Sequence, residues 1–367
     1  MRRIGIDARK LDDGGIGRYV RELLRRLPAL ARDTTFVALA RPSGVERLRA
    51  QGDLEVVEVR ARGYSLAEHV ELARVAAERR LDLLHVPHYV VPGMARVPLV
   101  ATVHDLIHLR VPRTPLHAVY ARVMLGLVRR RARLVLTPSH AVARDLETLA
   151  GIARERVAVV PNGVDADAWG APLPEGAVEG FVRRRGLQPP YALNVTNGLP
   201  HKGLDLLLEA WRELPEIKLV LAGQGSDRRA VRERVAAAGL PPGAVTVLGE
   251  LDEAELRCAY RGAAVVVIAS RLEGFGLPAL EAMAAGVPVV AAEAGALPEV
   301  VGDAGILFPE RSVACLRGAL YRLTPRSKQE ARADLIRRGL ARAREFTWDR
   351  TAQETYAAYQ RALHCQT

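Results

Sequence analysis

The chain has 367 residues, 49% hydrophobic, 26% charged and 5% aromatic; that length exceeds what one core usually sustains, so two domains of roughly 150–200 residues are expected. The apolar fraction argues against a disordered chain, and no run of 18 uncharged apolar residues is present to form a transmembrane helix. The net charge of +11 is uneven, with a net +10 in residues 1–165 and +1 in residues 166–367, so the first half suits an anionic partner or carries a solvated arginine-rich surface. Asp7, Arg9 and Lys10 interrupt any signal-peptide stretch, which gives a cytosolic expectation. Cys258, Cys315 and Cys365 have no metal-ligand spacing and read as reduced structural thiols.

Along the chain, Arg3–Asp7 reads as a strand, Gly14-Gly15-Ile16-Gly17 as a loop, and Arg18 to Ala31 as a helix with Val20, Leu23, Leu24 and Leu27 at helical spacing. Strands follow at Thr35–Ala40, Leu54–Val59, Leu83–Val86, Leu99–Val103, Leu134–Thr137 and Val157–Val160. Alternation of buried-looking runs with helices implies a parallel sheet covered on both faces. After the turn Pro161-Asn162-Gly163-Val164-Asp165 and a connection over Asp167 to Pro190, the pattern restarts. Its strands are Tyr191–Val195, Lys218–Ala222, Val245–Leu248, Ala264–Ile268, Val287–Ala291 and Gly305–Phe308. The expected architecture is α/β, two Rossmann-like doubly wound domains of residues 1–163 and 164–347. A final helix over 348–367, with Trp348, Ala352, Tyr356, Tyr359 and Leu363 at helical spacing, returns to complete the first.

The most informative stretch runs from Glu273 to Val290. Gly274 and Gly276 permit close backbone approach, Leu277-Pro278 opens a helix, and exposed amides at its positive end suit a diphosphate. Glu273 before the helix and Glu281 inside it can accept hydrogen bonds from hydroxyls on different parts of one ligand. Lys202, in the loop after the first strand of the second unit, can direct a compact charge at phosphate. Gly15-x-Gly17 has Val20 where a dinucleotide fingerprint needs its third glycine, which argues against NAD there. Arg18 is either a phosphate partner or a solvated helix residue. Ser139 either caps the helix that follows it or touches an acceptor. His85, His88, His104 and His108 lack the tight spacing and flanking carboxylates of a metal site. The arginines of 21–26 and 129–133 are not interleaved with aromatics, so nucleic-acid recognition is not expected. They face either solvent or anionic lipid.

The Glu273-x7-Glu281 pair within Gly274-Phe275-Gly276 resembles the signature of the retaining glycosyltransferases of family four, which have the GT-B fold, and the likeness runs from the glycine loop to the final helix. The resemblance implies that Glu281 binds the nucleotide ribose, and that Glu273 contacts the donor sugar. Amides around Phe275, Gly276 and Leu277 touch sugar and phosphate, while Lys202 neutralises the departing diphosphate. It implies that Gly15 approaches donor or acceptor, His104 lies beside the transferred sugar, Ser139 and Arg18 lie on the acceptor side, and Gly223 and Leu251 line the nucleotide base. Many members carry an arginine five residues before this lysine; here Asn197 stands there, so that cation is missing or supplied elsewhere. The implied activity is metal-independent, cofactor-free transfer of a hexose from a nucleotide sugar to a glycan or lipid-linked acceptor. The chain most resembles mannosyltransferases that use GDP-mannose, with UDP-glucose the runner-up donor. A GT-B sugar-nucleotide epimerase and a non-catalytic sugar-nucleotide-binding protein are the alternatives. Lipid-linked acceptors would place the basic first domain peripherally on the inner membrane face.

Overall fold

The computed structural model describes residues 1–61, 63, 65–112, 114–214, 216–323 and 329–364. Its internal contacts define two compact units, one of Met1–Asn162 with the segment from Trp348 onward, and one of Gly163–Thr347.

In the first unit the strands are β1 (Arg2–Asp7), β2 (Thr34–Ala40), β3 (Glu55–Glu58), β4 (Leu83–Val86), β5 (Leu99–Thr102), β6 (Ala132–Thr137) and β7 (Val157–Val159). They form one sheet in the order β3-β2-β1-β4-β5-β6-β7, parallel throughout. All four residues of β4 and of β5 are buried, as expected of strands with helices on both faces. The chain moves outward from β1 to β3 and then returns to place β4 on the other side of β1. The crevice beyond the C-terminal ends of β1 and β4 is therefore a topological switch point, where such sheets bind ligands. The helix Trp348–His364 packs on this unit: Tyr359 Oη lies 2.7 Å from His85 Nδ1, Thr351 Oγ1 donates to the Pro161 carbonyl at 2.7 Å, and Arg26 pairs with Asp349 at 2.6 Å.

The second unit repeats the logic. Strands β8 (Tyr191–Val195), β9 (Lys218–Ala222), β10 (Val245–Gly249), β11 (Ala263–Ile268), β12 (Val289–Ala292) and β13 (Ile306–Phe308) form a parallel sheet ordered β10-β9-β8-β11-β12-β13. Two apolar clusters cover its faces, one containing Val266 and Leu280, the other Val267 and Trp211. The switch point here lies between β8 and β11.

Two expectations are corrected. Gly14-Gly15-Ile16-Gly17 is not a loop but the start of the helix Gly14–Leu30. Burial of Tyr19, Val20, Leu23, Leu24 and Leu27 drives that helix, and each glycine costs it only about 1 kcal/mol. Gly17 answers to packing, since a Cβ there would strike the Leu11 carbonyl oxygen. The segment Asp167 to Pro190 is not a connection but part of the second unit. It forms the helices Ala166–Gly170 and Ala177–Arg184, which bury Trp169 and Phe181 in that core. Of the cysteines, Cys258 is buried and free, Cys315 is exposed and free, and Cys365 lies outside the described residues.

Candidate active site

The loops that leave β8 and β11 meet at the second unit's switch point. After β8 the chain turns at Asn197, whose Oδ1 accepts from Leu199 N at 3.2 Å, and enters a single helical turn Pro200–Lys202. Gly203 then adopts φ +69°, and a Cβ at this glycine would collide with the Ala269 carbonyl oxygen at the end of β11. Arg271 N donates to the His201 carbonyl at 2.7 Å and holds the two loops edge to edge. This close approach, which only glycine permits, carries Lys202 to Glu273: Nζ donates to Oε1 at 2.6 Å, and Ser270 Oγ donates to the same oxygen at 2.7 Å. Behind Glu273, the Ala296 amide donates to its carbonyl at 3.0 Å, and Gly295, at φ +56°, leaves room for that carbonyl.

The electrostatics follow from this geometry. Burial disfavours the Glu273 carboxylate, but the Lys202 ammonium and the hydrogen bonds from Lys202 and Ser270 outweigh it and hold the group below the usual range. With Oε1 occupied twice, Oε2 carries no hydrogen bond among the described residues. Gly274, Phe275 and Gly276 lead from Glu273 into the helix Leu277–Ala284; Phe275 is buried, and Gly276 adopts φ +102° against Leu297. Glu281 lies inside that helix, only 6% exposed, and its Oε2 accepts from Tyr260 Oη at 2.9 Å. Tyr260 is itself set edge-on against Trp169. Gly223 leaves β9 at φ +114°, where a Cβ would press on the Thr196 carbonyl, and Leu251 packs half-buried against the core after β10.

In the first unit the switch point holds a buried ionic network. Arg9 is bidentate to Asp7 at 2.8 and 2.7 Å and reaches Glu68 at 2.8 Å. Burial opposes ionisation of Asp7, yet Arg9 and His88 hold its carboxyl far below the usual range. His88 Nδ1 accepts from Val90 N at 3.1 Å, so its proton sits on Nε2, 3.3 Å from Asp7. His85 lies between Tyr359 Oη and Thr102 Oγ1, each at 2.7 Å, and burial pushes its imidazole down to about 3. His104 stands edge-on to Tyr19, its Nε2 enclosed without a hydrogen-bond partner among the described residues, and burial pushes it down to about 4. His108 faces Tyr89 at 3.2 Å. Gly15 is exposed on the first turn of the helix Gly14–Leu30, with Arg18 half-buried one turn later. Ser139 caps the helix His140–Ala150 by accepting from Val142 N at 3.2 Å. Much of the arginine excess is committed within the fold: Arg21 donates to the Leu11 carbonyl, Arg26 to Glu22, Arg131 to the Ala95 carbonyl and Arg133 to the Ala362 carbonyl.

Known proteins match both halves of this chain. Residues 13–168 fit the model described as Glycosyltransferase Family 4, and residues 181–341 that of Glycosyl transferases group 1. A D-inositol 3-phosphate glycosyltransferase of Xylanimonas cellulosilytica is 31% identical over 75% of this chain and 74% of its own. This chain belongs to glycosyltransferase family 4. An MMP alpha-(1->4)-mannosyltransferase of Mycolicibacterium hassiacum is likewise 31% identical, over 95% of both chains. The fold of the glycosyltransferase is GT-B: Anabaena HepE, solved in complex with UDP-glucose, superposes with a TM-score of 0.80 at 20% identity over 98% of this chain and 100% of its own. Sucrose-phosphate synthase from Thermosynechococcus elongatus gives 0.79 at 19% identity, over 100% of both chains. No helix among the described residues of the glycosyltransferase is long and apolar enough to cross a membrane.

The structure thus brings Lys202 and Glu273 into contact and sets Glu281 on Tyr260. Sequence reasoning missed Ser270 and Tyr260. Ser270 lies three positions before Glu273 in a non-helical loop, so no helical spacing marks it in the sequence. Tyr260 stands 21 positions from its partner in another element and carries no signal either.

Proposed function

We propose that this glycosyltransferase moves a hexose, with retention, from a nucleoside-diphosphate sugar to a hydroxyl of a glycan or lipid-linked acceptor, and that the donor is GDP-mannose. The observation that carries the reading is the Lys202–Glu273 contact at the mouth of β8 and β11. An ammonium has three donors; one serves Glu273, leaving two for diphosphate oxygens as the glycosidic bond breaks. Glu273 Oε2 is available to a sugar hydroxyl, the amides opening the helix Leu277–Ala284 suit phosphate, and Glu281 suits a ribose diol. Asp7, Glu68 and Glu273 are each paired with a cation, which favours attack from the leaving-group face over a covalent carboxylate intermediate. Relatives named as mannosyltransferases, the Mycolicibacterium protein and the O-antigen enzyme RfbU of Salmonella typhimurium, support mannose. The UDP-glucose bound to HepE supports the alternative donor.

Contact with an anionic bilayer is supported by the helix Pro115–Arg131, which exposes Leu116, Val119 and Val123 at helical spacing and carries exposed Arg129 and Arg130 in its last turn. Thermal melting with GDP, UDP and ADP, each with EDTA present, tests the donor. At one hundred times its Kd a ligand adds about 2.7 kcal/mol. A shift with GDP alone supports mannose, and a shift with UDP alone moves the donor to glucose. Silence from all three removes the donor site from this unit.

A further inference from the structure

The glycosyltransferase lacks the arginine expected five residues before Lys202, and Asn197 in its place turns its Oδ1 onto the Leu199 amide. The loop after β9 brings a replacement to the same edge of the sheet. Gly225 adopts φ +83°, and the guanidinium of Arg228 lies over it: Nε, Cζ and Nη2 are 2.6, 2.8 and 3.0 Å from the position a Cβ would occupy. The Gly225 carbonyl in turn lies 3.4 Å from the Cβ position of Gly198, the residue after Asn197. Arg228 is thus held beside the 197–198 turn by a glycine that has no side chain to displace it.

Its neighbours are committed elsewhere. Arg229 pairs with Glu233 at 2.6 Å, and Arg232 donates to the Asp227 carbonyl at 3.1 Å. The Arg228 guanidinium has no carboxylate partner and no hydrogen bond among the described residues, and it is exposed. Arg271 is the other nearby cation, but only its backbone amide is fixed, on the His201 carbonyl.

We infer that Arg228 is the second cation of the donor site, binding the diphosphate from the β9 loop in place of the side chain that Asn197 does not supply. The inference rests on the donor reading above. A guanidinium offers paired donors that match phosphate geometry, so its contribution falls on the diphosphate rather than on the nucleoside.

Calorimetric titration of the full chain with GDP and GMP, and in parallel UDP and UMP, tests this. Arg228→Ala is expected to weaken the preferred nucleoside diphosphate about 10- to 100-fold, the scale of one charge-assisted hydrogen bond, and its monophosphate less than about 3-fold. The melting temperature should be unchanged, since the side chain is exposed. Arg228→Lys should recover part of the loss, and Asn197→Arg added to Arg228→Ala most of it. Wild-type affinity in Arg228→Ala, or equal loss for mono- and diphosphate, overturns the inference. So does a diphosphate-selective loss in Arg271→Ala with none in Arg228→Ala. If Lys202→Ala loses diphosphate affinity while Arg228→Ala does not, the donor site stands and only Arg228 falls. If the wild type binds neither diphosphate, the donor reading itself falls.

Discussion

At Glu273, three effects compete. Desolvation favours the neutral acid; Lys202 at 2.6 Å and Ser270 at 2.7 Å favour the carboxylate and prevail. A carboxylate with a depressed folded-state pKa contributes stability that is present above its unfolded value, about 4.3, and is lost as pH falls through the folded value. Glu273→Gln keeps the shape and removes the charge. Its stability is therefore expected to run parallel to wild type from pH 7 to about 5 and to converge with it below about 4, read by urea unfolding. For turnover, Lys202→Ala should lower kcat by roughly 10²–10³, the scale for losing one donor to developing charge, and near-wild-type turnover would remove Lys202 from the mechanism. These two residues are legible in sequence because each sits in a short local pattern. Ser270 and Tyr260 are not singled out there: their roles depend on which oxygen of which carboxylate they meet, and for Tyr260 that partner is on a different helix.

Among elements, the strands were the most legible part of the fold. Parallel strands buried on both faces are dominated by apolar residues, so Leu83–Val86 and Tyr191–Val195 stand out by composition even though each carries one polar residue, His85 and Asn194. The glycines were less so. Gly14, Gly15 and Gly17 read as a loop by residue type, yet apolar burial one turn later extends the helix back through them. Gly203 shows the opposite case, where the reason for glycine lies in a neighbouring strand. Its φ of +69° taxes any side chain, and a Cβ there meets the Ala269 carbonyl; Gly243, at φ +75°, has nothing within 4 Å of its Cβ position. Gly243→Ala should therefore cost about 1–2 kcal/mol, the left-handed penalty alone. Gly203→Ala should cost more in the same urea titration and should also slow turnover by parting Lys202 from Glu273. Equal costs would mean that the two loops do not press together as described.

For the whole molecule, the order of strands is what sequence cannot supply. Periodicity gives two successive α/β units, but only the pairing of β4 with β1 and of β11 with β8 shows where each sheet reverses. The return of the last helix to the first unit was legible as an apolar stripe, though its polar anchor was not. Tyr359 reaches His85 across 274 positions, and His85 passes the chain of hydrogen bonds to Thr102 and thence to Tyr19. The anchor makes stability depend on pH. His85 is fully buried, and its imidazole is pushed from 6.5 to about 3, by burial first and by His104 second. Between those values the unfolded chain binds a proton that the folded protein refuses, so stability falls as pH drops below about 6.5 and is level above it. By pH 5 the loss from this one group is about 2 kcal/mol, from 1.4 kcal/mol per unit over roughly 1.5 units. His85→Gln retains a donor and an acceptor but does not titrate. The variant is expected to be less stable than wild type at pH 7, through imperfect pairing with Tyr359 and Thr102. It should nonetheless lose about 2 kcal/mol less between pH 7 and pH 5. Identical slopes for the two proteins would show that His85 is not held neutral at the junction of the last helix and the first sheet.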